Sequence, residues 1–69
     1  MLKVNKNKLE KLLALKAMSN ADLAEATGLS VMTISKLSRG LTVPRATTVR
    51  KITTVLGCEP ADILEEVEE

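Results

Sequence analysis

Residues 19–40, SNADLAEATGLSVMTISKLSRG, decide the fold of this 69-residue chain because they encode two short helices joined by a turn. Ser19, with Asp22 three residues later, has the spacing of an N-terminal helix cap. Gly28 is the residue type that favours a left-handed turn after a helix. Ser30 can cap the helix that follows, and Gly40 ends it. This spacing predicts a helix-turn-helix arrangement.

The apolar residues of this stretch lie where the contact between two helices needs them. Leu23 and Ala24 are expected to face inward, and the small Ala24 lets the two helices approach closely. Ile34 and Leu37 are expected to hold the second helix against the first. The positions left to face outward are 30, 31, 32, 33, 35, 36 and 39.

Three further helices are predicted around this unit. The first starts at a cap formed by Asn5 or Asn7 and runs to about Ala17. The β-branched segment after Pro44 is predicted to be a helix from about Arg45 to Leu56, because helical spacing collects its apolar residues on one face and strand alternation does not. These apolar residues are Ala46, Val49, Ile52, Val55 and Leu56.

The two ends of the chain carry weaker signals. Pro60 suits the first turn of a fifth short helix, with Ile63 and Leu64 as its apolar anchors. Residues 1–4 alternate apolar and polar side chains, which suits a short strand or an arm. The last five residues, EEVEE, are expected to fray. We therefore expect a single domain over residues 1–69, with a core at 5–64 and an acidic tail at 65–69.

The charge is distributed unevenly along the chain. Residues 59–69 carry six acids and no base, whereas residues 1–58 carry ten bases and three acids, a net charge of +7. This asymmetry fits two readings equally well. One is a solvated surface with a frayed acidic end, and the other is a polyanion-binding face from which the acidic end turns away.

Composition argues against several classes of protein. The chain has no His, no Cys–His cluster and no glycine-rich phosphate loop, so we expect neither an enzyme nor a bound metal, cofactor or small molecule. No apolar run approaches the roughly 20 residues that span a membrane. A single cysteine, Cys58, fits a reducing compartment, and we expect a cytoplasmic protein. Without Phe, Tyr or Trp, the core must be aliphatic.

The chain resembles the phage Cro/repressor, or xenobiotic-response-element, family of helix-turn-helix DNA-binding proteins. Residues 19–40 match the core pattern of that family, and VPRATTVRKITTVLGCEPADIL matches its fourth and fifth helices, so the resemblance covers residues 5–64. It implies an all-α, compact five-helix lambda-repressor-like domain whose helices 2 and 3 form the helix-turn-helix. It also implies a homodimer that binds palindromic double-stranded DNA and regulates transcription, as a repressor, with helix 3 (about 30–39) in the major groove.

The resemblance assigns roles to individual residues. It implies base contacts by Val31, Met32 and Lys36, with Thr33 and Ser35 as secondary candidates, and phosphate contacts by Asn20, Ser30, Arg39 and Arg45. Lys36 and Arg39 could instead be ordinary solvated charges with no role in DNA binding. Val31 could instead be part of the core.

Three departures from the family pattern stand out. Asn20 replaces a common Gln, and Thr27 stands at a position that is usually apolar. Leu13 and Ser38 replace an Arg and a Glu that form a buried pair in many members. Losing both charges together can be nearly neutral, whereas losing one would strand the other.

A second class of function uses the same residues. In an antitoxin or accessory protein of this fold, the main partner is another protein. The apolar pair Val31 and Met32 and the acidic C-terminus would then be docking surfaces. For a homodimer, the candidate contacts are Leu2 with Val4, or the exposed side of helix 5 with Val67.

Overall fold

Four α-helices and a two-stranded sheet make up the fold in the computed structural model, which describes residues 1–68. The four helices expected before residue 57 are confirmed. No helix within residues 1–68 is long and apolar enough to cross a membrane. In chain order the elements are β1 (Leu2–Val4), α1 (Lys6–Leu15), α2 (Asn20–Thr27), α3 (Val31–Ser38), α4 (Ala46–Leu56), a 3-10 turn (Pro60–Asp62) and β2 (Leu64–Glu66).

Helix α1 begins at the first of its two candidate caps and ends earlier than expected. The Asn5 side chain accepts a hydrogen bond from the Lys8 backbone N–H at 2.9 Å. The chain then leaves the helix because Ala17 adopts a left-handed backbone with φ of +54°. The Met18 N–H donates to the Leu13 carbonyl at 2.9 Å, which closes the end of the helix.

The predicted fifth helix is wrong, so the fold is mostly helical with four α-helices instead of five. Residues 60–62 form a single 3-10 turn, in which the Asp62 carboxylate accepts from the Glu59 N–H at 2.8 Å. Ile63 then departs from helical backbone, with φ of −123° and ψ of −13°, and its side chain is completely buried. Leu64 starts a strand because the chain extends there to pair with the N-terminus.

The sheet joins the two ends of the described chain. β1 and β2 are antiparallel, with Leu2 opposite Glu66, Lys3 opposite Glu65 and Val4 opposite Leu64. The strand reading of residues 1–4 is thereby confirmed, and the expected fraying is wrong for residues 65 and 66. Glu69, the last residue of the expected frayed tail, lies outside the described residues.

The core is aliphatic, as the composition predicts, and draws on every helix. Completely buried side chains of this kind contribute about 1.5–3 kcal/mol each. Cys58 is half-buried against this core, and the burial raises the pKa of its thiol, assisted by the negative charges of Asp62 and Glu59. The largest fully buried side chains are Leu9, Leu23, Ile34, Ile52, Leu56 and Ile63.

One threonine of α4 departs from the expected pattern. Thr53 is not among the apolar residues that the helical spacing collects on one face, and yet it is buried. Its hydroxyl donates to the Val49 carbonyl at 2.9 Å, so the buried oxygen is satisfied by its own helix. Throughout residues 1–68 no buried polar side-chain atom lacks a hydrogen-bond partner.

Candidate nucleic-acid interface

The start of α2 is fixed by a reciprocal cap. The Ser19 hydroxyl accepts from the Asp22 N–H at 3.1 Å, and the Asp22 carboxylate accepts from the Ser19 N–H at 2.9 Å. The bond from the Ser19 N–H, followed by hydrogen bonding of the carboxyl group to the Ser19 side chain, lowers the pKa of Asp22 below its ordinary value. Because the cap sets the first residue of the helix, Asn20 lies at the helix N-terminus, where it is half-buried.

The turn between α2 and α3 depends on Gly28. Its φ of +76° is a left-handed conformation, and a Cβ at this position would meet no atom within 4 Å. Glycine is therefore required by the backbone conformation and not by lack of space. The Leu29 N–H donates to the Ala24 carbonyl at 3.0 Å, which ties the turn to α2.

Thr27, the polar residue at a position that is apolar in the family, is accommodated inside the protein. It is buried, and its hydroxyl donates to the Leu23 carbonyl at 2.8 Å. The Leu13 and Ser38 positions are buried as well, and the Ser38 hydroxyl donates to the Ser35 carbonyl at 2.9 Å. The two positions at which the resemblance implies a charged pair are therefore occupied here by an apolar side chain and a satisfied hydroxyl.

Ser30 caps α3, as predicted. Its hydroxyl accepts from the Thr33 N–H at 3.0 Å and lies 2.8 Å from the Thr33 hydroxyl. Both side chains remain exposed. The contact between the two hydroxyls was not predicted, and it fixes how they are presented at the start of the helix.

Helix α3 has a buried face and an open face. Ile34 and Leu37 are 0% and 4% exposed, whereas Val31 and Met32 are 52% and 67% exposed. Of the two positions expected for Val31, the structure therefore shows the outward one. Two neighbouring apolar side chains thus face solvent on the first turn of the helix.

The predicted basic residues are also accessible. Lys36 is exposed on α3, Arg39 at its C-terminal cap and Arg45 at the N-terminal cap of α4. Within residues 1–68 the ion pairs join the Met1 amine to Glu66 and Lys6 to Glu10, so these three cations have no acidic partner there. Of the remaining candidates, Thr33 is exposed and Ser35 is half-buried.

One basic residue near this surface was missed by sequence reasoning. A Cβ added to Gly40 would lie 3.8 Å from Cδ of Lys3, so the Lys3 side chain runs beside the end of α3. Residues 3 and 40 meet only because β1 packs next to α3. No local pattern in the sequence signals this contact.

Comparisons with known proteins agree with this geometry. A family model described as the Cro/C1-type HTH DNA-binding domain matches residues 8–69. Among solved structures, the chain is similar to the transcriptional regulator VanUg, with 35% identity, a TM-score of 0.81 and coverage of 99% of this chain and 89% of that one. A candidate DNA-binding protein from Bacteroides fragilis is similar at 26% identity, with a TM-score of 0.77 and coverage of 94% and 100%.

No curated protein matches the chain. The family model covers most of the described residues, including both helices of the helix-turn-helix and their caps. The resemblance inferred from residues 19–40 is thereby confirmed. The chain belongs to the family of Cro/C1-type helix-turn-helix DNA-binding domains.

Proposed function

We propose that this protein is a transcriptional repressor that binds a palindromic operator as a homodimer and reads the major groove with α3. The observation that carries the proposal is the open face of α3, where Val31, Met32 and Lys36 are exposed while Ile34 and Leu37 are buried. Family membership supports DNA binding, and a structural neighbour named as a transcriptional regulator supports a regulatory role.

The base contacts follow from the chemistry of the open face. Thymine presents its methyl group in the major groove only, and Val31 and Met32 offer apolar contact to it. Lys36 can donate to O6 and N7 of guanine. Thr33 and Ser35 offer hydroxyls as secondary contacts. An α-helix with its side chains is about 10–12 Å across, so α3 fits within the major groove, which is about 12 Å wide.

The phosphate contacts surround this face. Asn20 and Ser30 lie at the N-termini of α2 and α3, where free backbone N–H groups favour an anion. Arg39 and Arg45 stand at the two ends of the loop between α3 and α4. Because Arg39 and Arg45 neutralise phosphates, binding should weaken as the salt concentration rises.

Selection from a randomised duplex library tests the proposal. We expect an enriched palindrome with half-sites about one helical turn apart and thymines at the positions that Val31 and Met32 contact. A reporter whose promoter overlaps that palindrome should be repressed. Sequence-blind binding would contradict the proposal and would favour the class of antitoxin or accessory proteins, whose main partner is another protein.

Lys36→Ala should weaken operator binding by about 1–3 kcal/mol. The matched control is Lys16→Ala. A Cβ on Gly57 would lie 3.8 Å from Nζ of Lys16, so this lysine sits at the end of α4 that is about 16 Å from Arg45. If both substitutions weakened binding equally, the assigned role of Lys36 would be wrong.

A further inference from the structure

A groove separates the N-terminal half of α4 from the two-stranded sheet. Its volume is about 440 Å³. Val49 and Pro44 form part of the α4 side, and Leu2 and Leu64 line the sheet side. None of these residues belongs to α3, so the groove is separate from the open face of α3 that is proposed to contact DNA bases.

The surface around the groove is apolar as well. Leu2 is 50% exposed, and Val43, which directly precedes the groove residue Pro44, is 53% exposed. Leu41, in the same loop, is 63% exposed. Exposed apolar side chains that gather at a groove can mark a binding surface. The loop therefore places a protruding apolar side chain beside an apolar hollow.

The two sides of the groove carry opposite charges. Arg50 lines it on the α4 side and forms no ion pair within residues 1–68. Glu66 stands directly across β1 from Leu2, and side chains at directly opposed positions share one face of a sheet. Glu66 therefore lies on the sheet side of the groove, next to Leu2. Its Oε1 accepts from the Met1 amine at 2.6 Å, which leaves Oε2 to accept from a second cation.

We propose that this groove binds a second copy of the chain, related to the first by a two-fold axis that runs along the groove. The inference rests on the proposed homodimer and names its surface. A two-fold interface uses the same patch on both copies. With the axis along the groove, the α4 side of one copy faces the sheet side of the other. Arg50 then meets Glu66 of the second copy, and Val43 enters the mouth of its groove.

The opposite charges select this orientation. An axis across the groove would place Arg50 against Arg50 and Glu66 against Glu66, and such like-charge contacts disfavour an interface. The interface keeps Leu2 from the two surfaces considered from the sequence and leaves out Val4 and the fifth helix. Val4 is 3% exposed and has no surface to offer, and residues 60–62 form only a turn where a fifth helix was expected.

A small molecule fits the groove less well than a second copy does. Ligand sites place a few polar groups so that they converge on the ligand. The Thr53 hydroxyl in this groove is already committed to the Val49 and Arg50 carbonyls of its own helix. Arg50 is then left as the polar side chain with free donors, which suits an ion pair at the edge of an apolar contact.

Sedimentation velocity without DNA, over a range of protein concentrations, tests the proposal. Leu2→Lys places a charge in the groove, and the new lysine stands across the sheet from Glu66, so the strand pairing is kept. We expect its dimer dissociation constant to rise by roughly tenfold or more, since a charge replaces an apolar contact. The matched control is Leu15→Lys on α1, where the leucine is 72% exposed and outside the groove; it should dimerise normally.

Two further variants keep the test decisive. Val43→Lys changes an exposed loop residue, so it decides the outcome if circular dichroism shows that Leu2→Lys is unfolded. Arg50→Glu should weaken the dimer, because it places a second carboxylate against Glu66 of the other copy. A wild-type chain that stays monomeric, or folded groove variants that dimerise like the wild type, would overturn the proposal.

The failure of this inference is separable from that of the proposed function. Binding to a single half-site needs α3 and not the dimer. An enriched half-site together with normal dimerisation of Leu2→Lys and Val43→Lys would support base reading by the open face of α3. It would contradict the groove as the dimer interface. If these variants disrupt the dimer but the protein shows no sequence preference, the groove is supported as the dimer interface and the proposed base reading is contradicted.

Discussion

Replacing Met32 by alanine gives the sharpest test of base reading by apolar contact. The side chain is 67% exposed, so about two-thirds of its surface is free to be buried against DNA. Complete burial of such a side chain is worth about 1.5–3 kcal/mol, which leaves about 1–2 kcal/mol for the DNA contact. Met32→Ala should therefore weaken binding to the selected operator by roughly 5- to 30-fold.

Fluorescence anisotropy with two matched duplexes measures this effect. One duplex carries the selected operator, and the other carries deoxyuridine, which lacks the methyl group, in place of the contacted thymines. The wild type should lose affinity on this exchange, by up to about 0.8 kcal/mol for each methyl group covered. Met32→Ala should be nearly insensitive to it, because the side chain that covers the methyl group is gone.

Two controls make the result interpretable. Leu15→Ala removes an equally exposed apolar side chain from α1 and should leave operator affinity unchanged. The salt dependence of binding should be the same in Met32→Ala and the wild type, since no charge is removed. The reasoning is refuted if Met32→Ala binds the operator as tightly as the wild type does, or if the loss of the methyl group costs both proteins the same affinity.

Other predictions concern stability, each measured by thermal or urea unfolding. Gly28→Ala should cost about 1–2 kcal/mol at its φ of +76°, with no clash to add, and Ala17→Gly should recover up to about 1 kcal/mol by relieving the left-handed backbone of an alanine. A smaller cost for Gly28→Ala than for an exposed mid-helix substitution would contradict this. Ser19→Ala should cost about 1 kcal/mol through loss of the cap. The stabilisation from the lowered pKa of Asp22 is present above the ordinary carboxyl value of 3.8 and is lost as the pH falls through the lower folded value, so Asp22→Asn, which removes the titrating carboxyl group, should flatten the acid limb of the stability curve. An unchanged acid limb would remove that role. Thr27→Val should change stability by less than about 1 kcal/mol, because the carbonyls that its hydroxyl contacts keep their helical partners; a loss above 2 kcal/mol would show that the hydroxyl itself is needed.

The helices and their ends could be predicted because the forces that set them are local. Ser19 and Ser30 cap helices through bonds to residues three positions away, and Gly28 turns the chain through its own φ. Helical spacing also placed Ile34 and Leu37 inward correctly. Val31 shows the limit of this reasoning, since its spacing fitted either face and only the packed structure turned it outward.

The sequence by itself determined the helices of the helix-turn-helix, their caps and the inward face of α3, because each depends on residues within about four positions of one another. Only the tertiary structure determined the conformation of residues 60–66, which form a 3-10 turn and a strand instead of a helix. Pro60 and the apolar pair after it suit a helix locally, but burial of Ile63 and pairing of Leu64 with Val4 stabilise an extended chain instead. The same pairing, across sixty residues, creates the groove beside α4 and brings Lys3 to the end of α3. The alternating pattern of a three-residue strand is too short to predict which strand it pairs with. Contacts of this kind are therefore known only from the folded structure.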